Sequence, residues 1–187
     1  MIKQVEGFDK YIVVAGFRDV NIGDVNHFLS GVREKFADVT VQFFDATLIA
    51  GWQHLYFATL NALKAFQNQT NISKNLAVEC LLYASALRQI KNAMELIGIT
   101  KNMSKIALLI VADRANVAEK SFAEVSKLIS GKRDDTILKL SIEKVPCIKQ
   151  LFNISEKELA TMLDTDEEEK ALSDLVIEHI ALLVTQR

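Results

Sequence analysis

The stretch NISKNLAVECLLYASALRQIKNAMELIGI, residues 71–99, decides how the chain is read. At 100° per residue, Leu76, Cys80, Tyr83, Leu87, Ile90 and Met94 fall on one helical face, and Val78, Leu81 and Leu82 make the first half apolar nearly all round. The pattern predicts one long, central, buried helix over 74–97. Ser73 is placed to cap it, and Gly98 followed by apolar Ile99 to stop it. In its second half Ser85, Arg88, Gln89, Asn92 and Glu95 open a polar arc that must meet solvent or a partner.

Upstream, YIVVA (11–15) and VTVQFF (39–44) have the length and β-branched content of strands. A helix over about 22–36 separates them, giving an opening β-α-β. An extended piece at 47–50 leads through Gly51 into an amphipathic helix over about 52–66, where Leu55, Ala58, Ala62, Ala65 and Phe66 recur at helical spacing. Downstream, the apolar run IALLIV (106–111) reads as a strand covered on both faces. Asn116 and Glu119 form a capping signal for a helix that Gly131 ends, and 136–142 can supply another strand. Ser155 with Glu158, and Thr165 with Glu168, are capping boxes for a short helix and for a terminal one running to about residue 184. No linker interrupts the series. The expected fold is one α+β domain over 1–187, a mixed β-sheet packed with several helices in a layered sandwich around the long buried helix.

Composition agrees. Half of the 187 residues are hydrophobic and a quarter charged, with seven glycines and one proline, which excludes a disordered chain. The formal charge of -2 gives no global attraction for a polyanion or an anionic membrane. No signal-peptide core follows Met1, and no apolar run approaches the roughly 20 residues that span a bilayer. Two unspaced cysteines, Cys80 and Cys147, and three dispersed histidines give no metal signature and fit a reducing, cytoplasmic setting. Sequons at Asn68, Asn71, Asn102 and Asn153 are accordingly read as turn and cap residues.

Enzyme signatures are largely missing: there is no Gly-rich phosphate loop, no G-x-S-x-G elbow and no H-E-x-x-H helix. One alternative stays open, a small enzyme whose pocket gathers His54, Cys80, Tyr83 and Arg88 from the two central helices. The acidic cluster Asp164, Asp166, Glu167, Glu168 and Glu169 reads as helix capping rather than a metal site. No metal, cofactor or small-molecule substrate is expected. Charge taken by segment is more informative than the total. Residues 64–105 hold six Lys+Arg against two Asp+Glu, a local balance of +4, while 111–187 carry a balance of -4. The basic segment lies beside Tyr56 and Phe66 and suits either phosphate or plain solvent.

Residues 71–90 with Ala93 and Gly98-Ile99, together with the upstream His54, Ala58, Ala62 and Ala65, resemble the signature of the kinase-binding subunit of the KEOPS (EKC) complex, the TPRKB-like family. The match is specific over about 47–100 and looser outside it. One departure is Ala86, where archaeal-looking members usually carry glycine; alanine, the better helix former, is expected to leave the helix intact. The resemblance implies a non-catalytic protein in the machinery for threonylcarbamoyladenosine at position 37 of tRNA. It implies binding to the N-terminal lobe of the Bud-type atypical kinase and, as in archaeal members, to the 3′ CCA tail of tRNA. It gives the basic segment a purpose: Lys64, Lys74, Arg88 and Lys91 would meet phosphates, and Asn71, Asn75 and His54 sugar or base edges. For the kinase, the last helix offers an apolar stripe of Leu172, Leu175, Val176, His179, Leu182 and Leu183, which would otherwise dock on the domain's own core.

Overall fold

The computed structural model describes residues 2–162 and 168–185. Strands β1 (Ile2–Gln4), β2 (Tyr11–Arg18), β3 (Thr40–Asp45), β4 (Lys105–Ala112) and β5 (Lys132–Arg133) form one open sheet in the order β1-β2-β4-β3, with β5 on the outer end of β2. Where a mixed sheet was expected, each of the four described pairings is antiparallel. The opening β-α-β is present in split form. β2 and β3 run the same way, joined through α1 (Val25–Lys35), and β4 lies between them. Alternation along β4 builds the layers. Ile106, Leu108 and Ile110 face a core closed by α1 and α5 (Ala115–Ser126). Ala107, Leu109 and Val111 face the larger core. That second layer holds α2 (Trp52–Gln67), α3 (Leu76–Ser85), α4 (Ile90–Ile97), α6 (Val145–Phe152), α7 (Glu156–Met162) and α8 (Glu168–Ala181). The α+β layered sandwich is therefore as expected.

The long central helix is not. It breaks at Ala86, which sits in the left-handed region at φ 52, ψ 29 and sends its N–H back to Leu82 and Tyr83. The half before the break is buried as the pattern required, and the half after it starts afresh as α4 at Gln89, with Ile90 and Met94 exposed where the pattern placed them on the buried face. A left-handed conformation costs an L-residue about 1–2 kcal/mol, and glycine avoids that cost. The position where relatives are expected to carry glycine is thus a helix C-cap, not helix interior. Ala86→Gly should raise stability by about 0.5–1 kcal/mol after allowing for the freer unfolded chain; urea melts of the two proteins measure it.

Local chemistry accounts for the other departures. The true cap of α3 is Asn75, whose side chain accepts from the N–H groups of Ala77 and Val78, while Ser73 Oγ accepts from Asn75 N–H. Asp45 and Asp134 each cap a 3-10 turn, Ala46–Leu48 and Asp135–Leu138, where extended segments were expected. The strand expected at 136–142 fails further because Ile142 is 83% exposed. Gly16 is indispensable beneath the second turn, since a Cβ there would lie 2.5 Å from Asp134 O. α5 starts after Arg114 rather than at Asn116 and ends at Ser126, before Gly131. β1 and α6 were not anticipated. α6 carries Pro146 in its first turn and Asn153 as a left-handed C-cap. The Ser155–Glu158 box is reciprocal, with Ser155 N–H donating to the carboxylate at 2.7 Å and Glu158 N–H to Ser155 Oγ at 3.2 Å. Thr165, and with it the second box and most of the acidic cluster, lies outside the described residues. The four sequon asparagines sit at turns and caps: Asn68 ends α2, Asn71 donates to Ser73 O, and Asn102 and Asn153 are left-handed.

Candidate functional site

Breaking the helix at Ala86 creates a second helix N-terminus. The cap of α4 is Gln89, whose side chain makes no capping bond and instead accepts from Asn92 Nδ2 at 2.9 Å. The first-turn N–H groups of α4 are left to water or a ligand, and the macrodipole makes that end positive. Arg88 and Lys91 flank this end, both exposed. Arg88 has no ion-pair partner among the described residues, and Lys91 has only a loose one, Glu95 at 3.8 Å with both side chains largely solvated. Uncapped amides between an unpaired cation and a loosely paired one form an arrangement suited to a phosphate.

Lys64, at the end of α2, and Lys74, before α3, are exposed and share the other end of the α2–α3 pair, because the 68–75 loop joins those two termini. Between the two cation pairs lies α3, about 15 Å of helix. Of the amides, Asn75 is exposed but spends its carbonyl as the α3 cap, and half-buried Asn71 bonds Ser73 O. The loop that carries them is pinned by Glu79, which no sequence signal singled out. Its fully buried carboxylate accepts from Ile72 N–H at 3.1 Å and Ser73 N–H at 2.7 Å. A charged residue on an otherwise apolar helical face was the available hint.

His54 does not belong to this surface. It is fully buried, Nδ1 accepting from Ala50 N–H at 3.2 Å and Nε2 donating to Ala84 O at 2.8 Å, with Phe152 edge-on at 5.6 Å. The ring ties the start of α2 to the end of α3, so the expected sugar or base contact is corrected to a structural one. Burial holds its pKa down at about 4. The unfolded chain therefore binds the extra proton between about pH 4 and 6.5, and stability falls as pH falls through that window. From pH 6.5 to 5, before most carboxylates titrate, this residue should cost about 1.5 kcal/mol; urea melts across that range test it, and a flat profile would refute it. Nearby Lys144, also unforeseen, buries its ammonium against Ile49 O (3.1 Å) and Ile137 O (2.5 Å), and desolvation lowers its pKa to about 8.

The four-residue enzyme pocket does not form. Cys80 is fully buried with its thiol pushed up to about 12 by desolvation, His54 is enclosed as described, and Arg88 points to solvent. Neither the groove beside β3 nor the one beside the start of α2 is lined by any of the four. Among the described residues no cluster of three or more His, Cys, Asp or Glu could hold a metal ion, and no helix is long and apolar enough to cross a membrane. The apolar stripe of α8 is also largely corrected. Leu172, Leu175, Val176 and Leu183 are buried in the larger core, so His179 and Leu182, the latter 47% exposed, remain for a partner. Val184 beside them is exposed as well.

Known proteins carry this arrangement of sequence. The chain is 27% identical over 143 residues to the regulatory protein Cgi121 of Methanocaldococcus jannaschii, covering 76% of this chain and 85% of that one. It is 36% identical over 61 residues, 33% of this chain and 36% of the other, to the KEOPS complex subunit Cgi121 of Pyrococcus abyssi. Residues 17–183 match the family model of the kinase binding protein CGI-121, and the chain belongs to that family.

Proposed function

We propose that this protein is a non-catalytic, regulatory subunit of a cytoplasmic KEOPS-type complex, which carries out threonylcarbamoyl modification at position 37 of tRNA. In this reading it joins the N-terminal lobe of the Bud-type kinase to the 3′ CCA tail of tRNA. Family membership and the identities of the relatives support the complex and the kinase. The observation that carries the tRNA half is the uncapped α4 N-terminus between Arg88 and Lys91. One phosphate binds there and another near Lys64 and Lys74, with α3 spanning the interval. Asn71 and Asn75 stand at the second end for sugar or base edges.

The kinase meets what the core leaves of the C-terminal stripe, exposed Leu182 and half-buried His179, with exposed Val184 beside them. Leu182→Glu combined with Val184→Glu changes only exposed side chains and should abolish co-purification with the kinase while the melting temperature stays in place. Undiminished co-purification would move the kinase to another face.

A further inference from the structure

The sheet has an open edge along β3 that neither surface above uses. It forms the floor of a groove of about 450 Å³, walled on one side by α1 through Leu29 and Arg33 and on the other by Lys74 of the preceding loop and the start of α3 through Leu76 and Val78. Which backbone groups face the groove follows from the ladder. Gly16 turns both main-chain groups away from β4, its N–H to the Asp135 carboxylate and its C=O to Asp134 N–H. Inward and outward groups alternate residue by residue in antiparallel pairs. Ala15 and Phe17 therefore bond β4, whose Ala107, Leu109 and Val111 bond Phe44, Gln42 and Thr40 of β3. Val41 and Phe43 are left facing outward. Gln42 Nε2 already donates to Phe43 O at 3.1 Å, so Val41 N–H, Val41 C=O and Phe43 N–H are the groups without a partner among the described residues.

Unpaired main-chain groups on a strand edge are a template for another strand, and native edges are usually covered or blunted by charge. Here the side chains of β3 over this stretch are Val41, Gln42 and Phe43, none charged. A single extended chain laid along this edge would turn its side chains alternately toward the two walls. Charge argues against a second copy of this protein as occupant. Arg33 and Lys74 stand on opposite walls without ion-pair partners among the described residues; Lys10 and Asp113 on the lining pair with each other, and Asp38 is the one other acid, so the groove is net positive and two identical copies would meet with like net charge. The same two cations favour a carboxylate. We infer that the β3 edge is a docking site for an extended segment of a partner protein, added as a further strand, with apolar side chains at alternate positions and at least one Asp or Glu between them. This site shares only its rim residues Lys74 and Asn75 with the proposed tRNA surface, and it stands or falls separately.

The test uses the full chain and synthetic peptides of about eight residues in which valine or isoleucine alternates with glutamate and threonine. Bound peptide should slow amide hydrogen exchange at Val41 and Phe43. Arg33→Glu with Lys74→Glu, and separately a peptide with lysine in place of glutamate, should each weaken binding by at least about tenfold. Unchanged exchange at both amides at the highest soluble peptide concentration would overturn the inference, as would protection indifferent to both charge changes. Protection of the same amides by a CCA-ended oligonucleotide and not by peptide would assign the groove to RNA and overturn it as well.

Discussion

Arg88→Glu combined with Lys91→Glu should lower affinity for tRNA by roughly a hundredfold at low salt. The magnitude comes from two sources. Each cation lost releases one fewer condensed counterion, so the slope of log K against log salt should shrink by about 1.4 for two contacts on a single strand. Each glutamate also places a negative charge beside the amides of the α4 first turn, where a phosphate would otherwise sit. Neither side chain is buried, and the one ion pair between Lys91 and Glu95 is long and solvated, so folding should be spared. Lys120→Glu with Lys127→Glu supplies the control. Both residues are exposed at α5 on the opposite layer, and equal loss from the two pairs would reduce the effect to net charge. Filter binding across a salt series measures both affinity and slope.

Glu79→Ala should lower stability by about 3–4 kcal/mol. Its buried carboxylate is the partner of two backbone N–H groups in a partly buried turn, and alanine leaves both without one. Charge-assisted bonds of this kind are worth about 1.5–3 kcal/mol each, a large share of the 5–15 kcal/mol that holds a domain together. Glu79→Gln retains an acceptor of the same shape and should cost about half as much. The substitution also reaches function indirectly. The turn it releases carries Asn71, Lys74 and Asn75, so under conditions where the Gln variant is folded it should bind tRNA more weakly although Glu79 touches no phosphate. Chemical denaturation and tRNA binding on the same sample separate the two effects.

How far the sequence could be read is clearest on either side of Ala86. Before it, periodicity identified a buried helix, because burial and the 3.6-residue repeat are the same physical fact. After it, the apolar face continued in register through Ile90 and Met94, and nothing in hydrophobic spacing marks a single left-handed residue. The departure from glycine was visible, but helix propensity ranked alanine as the safer residue, and propensity does not describe a C-cap. The basic residues were legible as charge; the helix terminus between Arg88 and Lys91 was not, because it exists only once the helix breaks. His54 and the α8 stripe failed in the opposite sense. Spacing finds apolar faces and polar interruptions, whereas the choice between core and partner depends on what folds over them, here α3 and Phe152 for the histidine and α2 for the stripe. Short elements held by side-chain caps, such as the turns at Asp45 and Asp134, carried too few residues for any period to show.

The central claim, a subunit that holds the tRNA tail, rests most directly on one comparison: the affinity of the unmodified protein for tRNA with its 3′ CCA end and for the same tRNA with those nucleotides removed. At low salt the trimmed tRNA should bind at least about tenfold more weakly, since the phosphates and bases between the Lys64–Lys74 and Arg88–Lys91 ends of α3 would be gone. Equal affinity for the two would contradict the account.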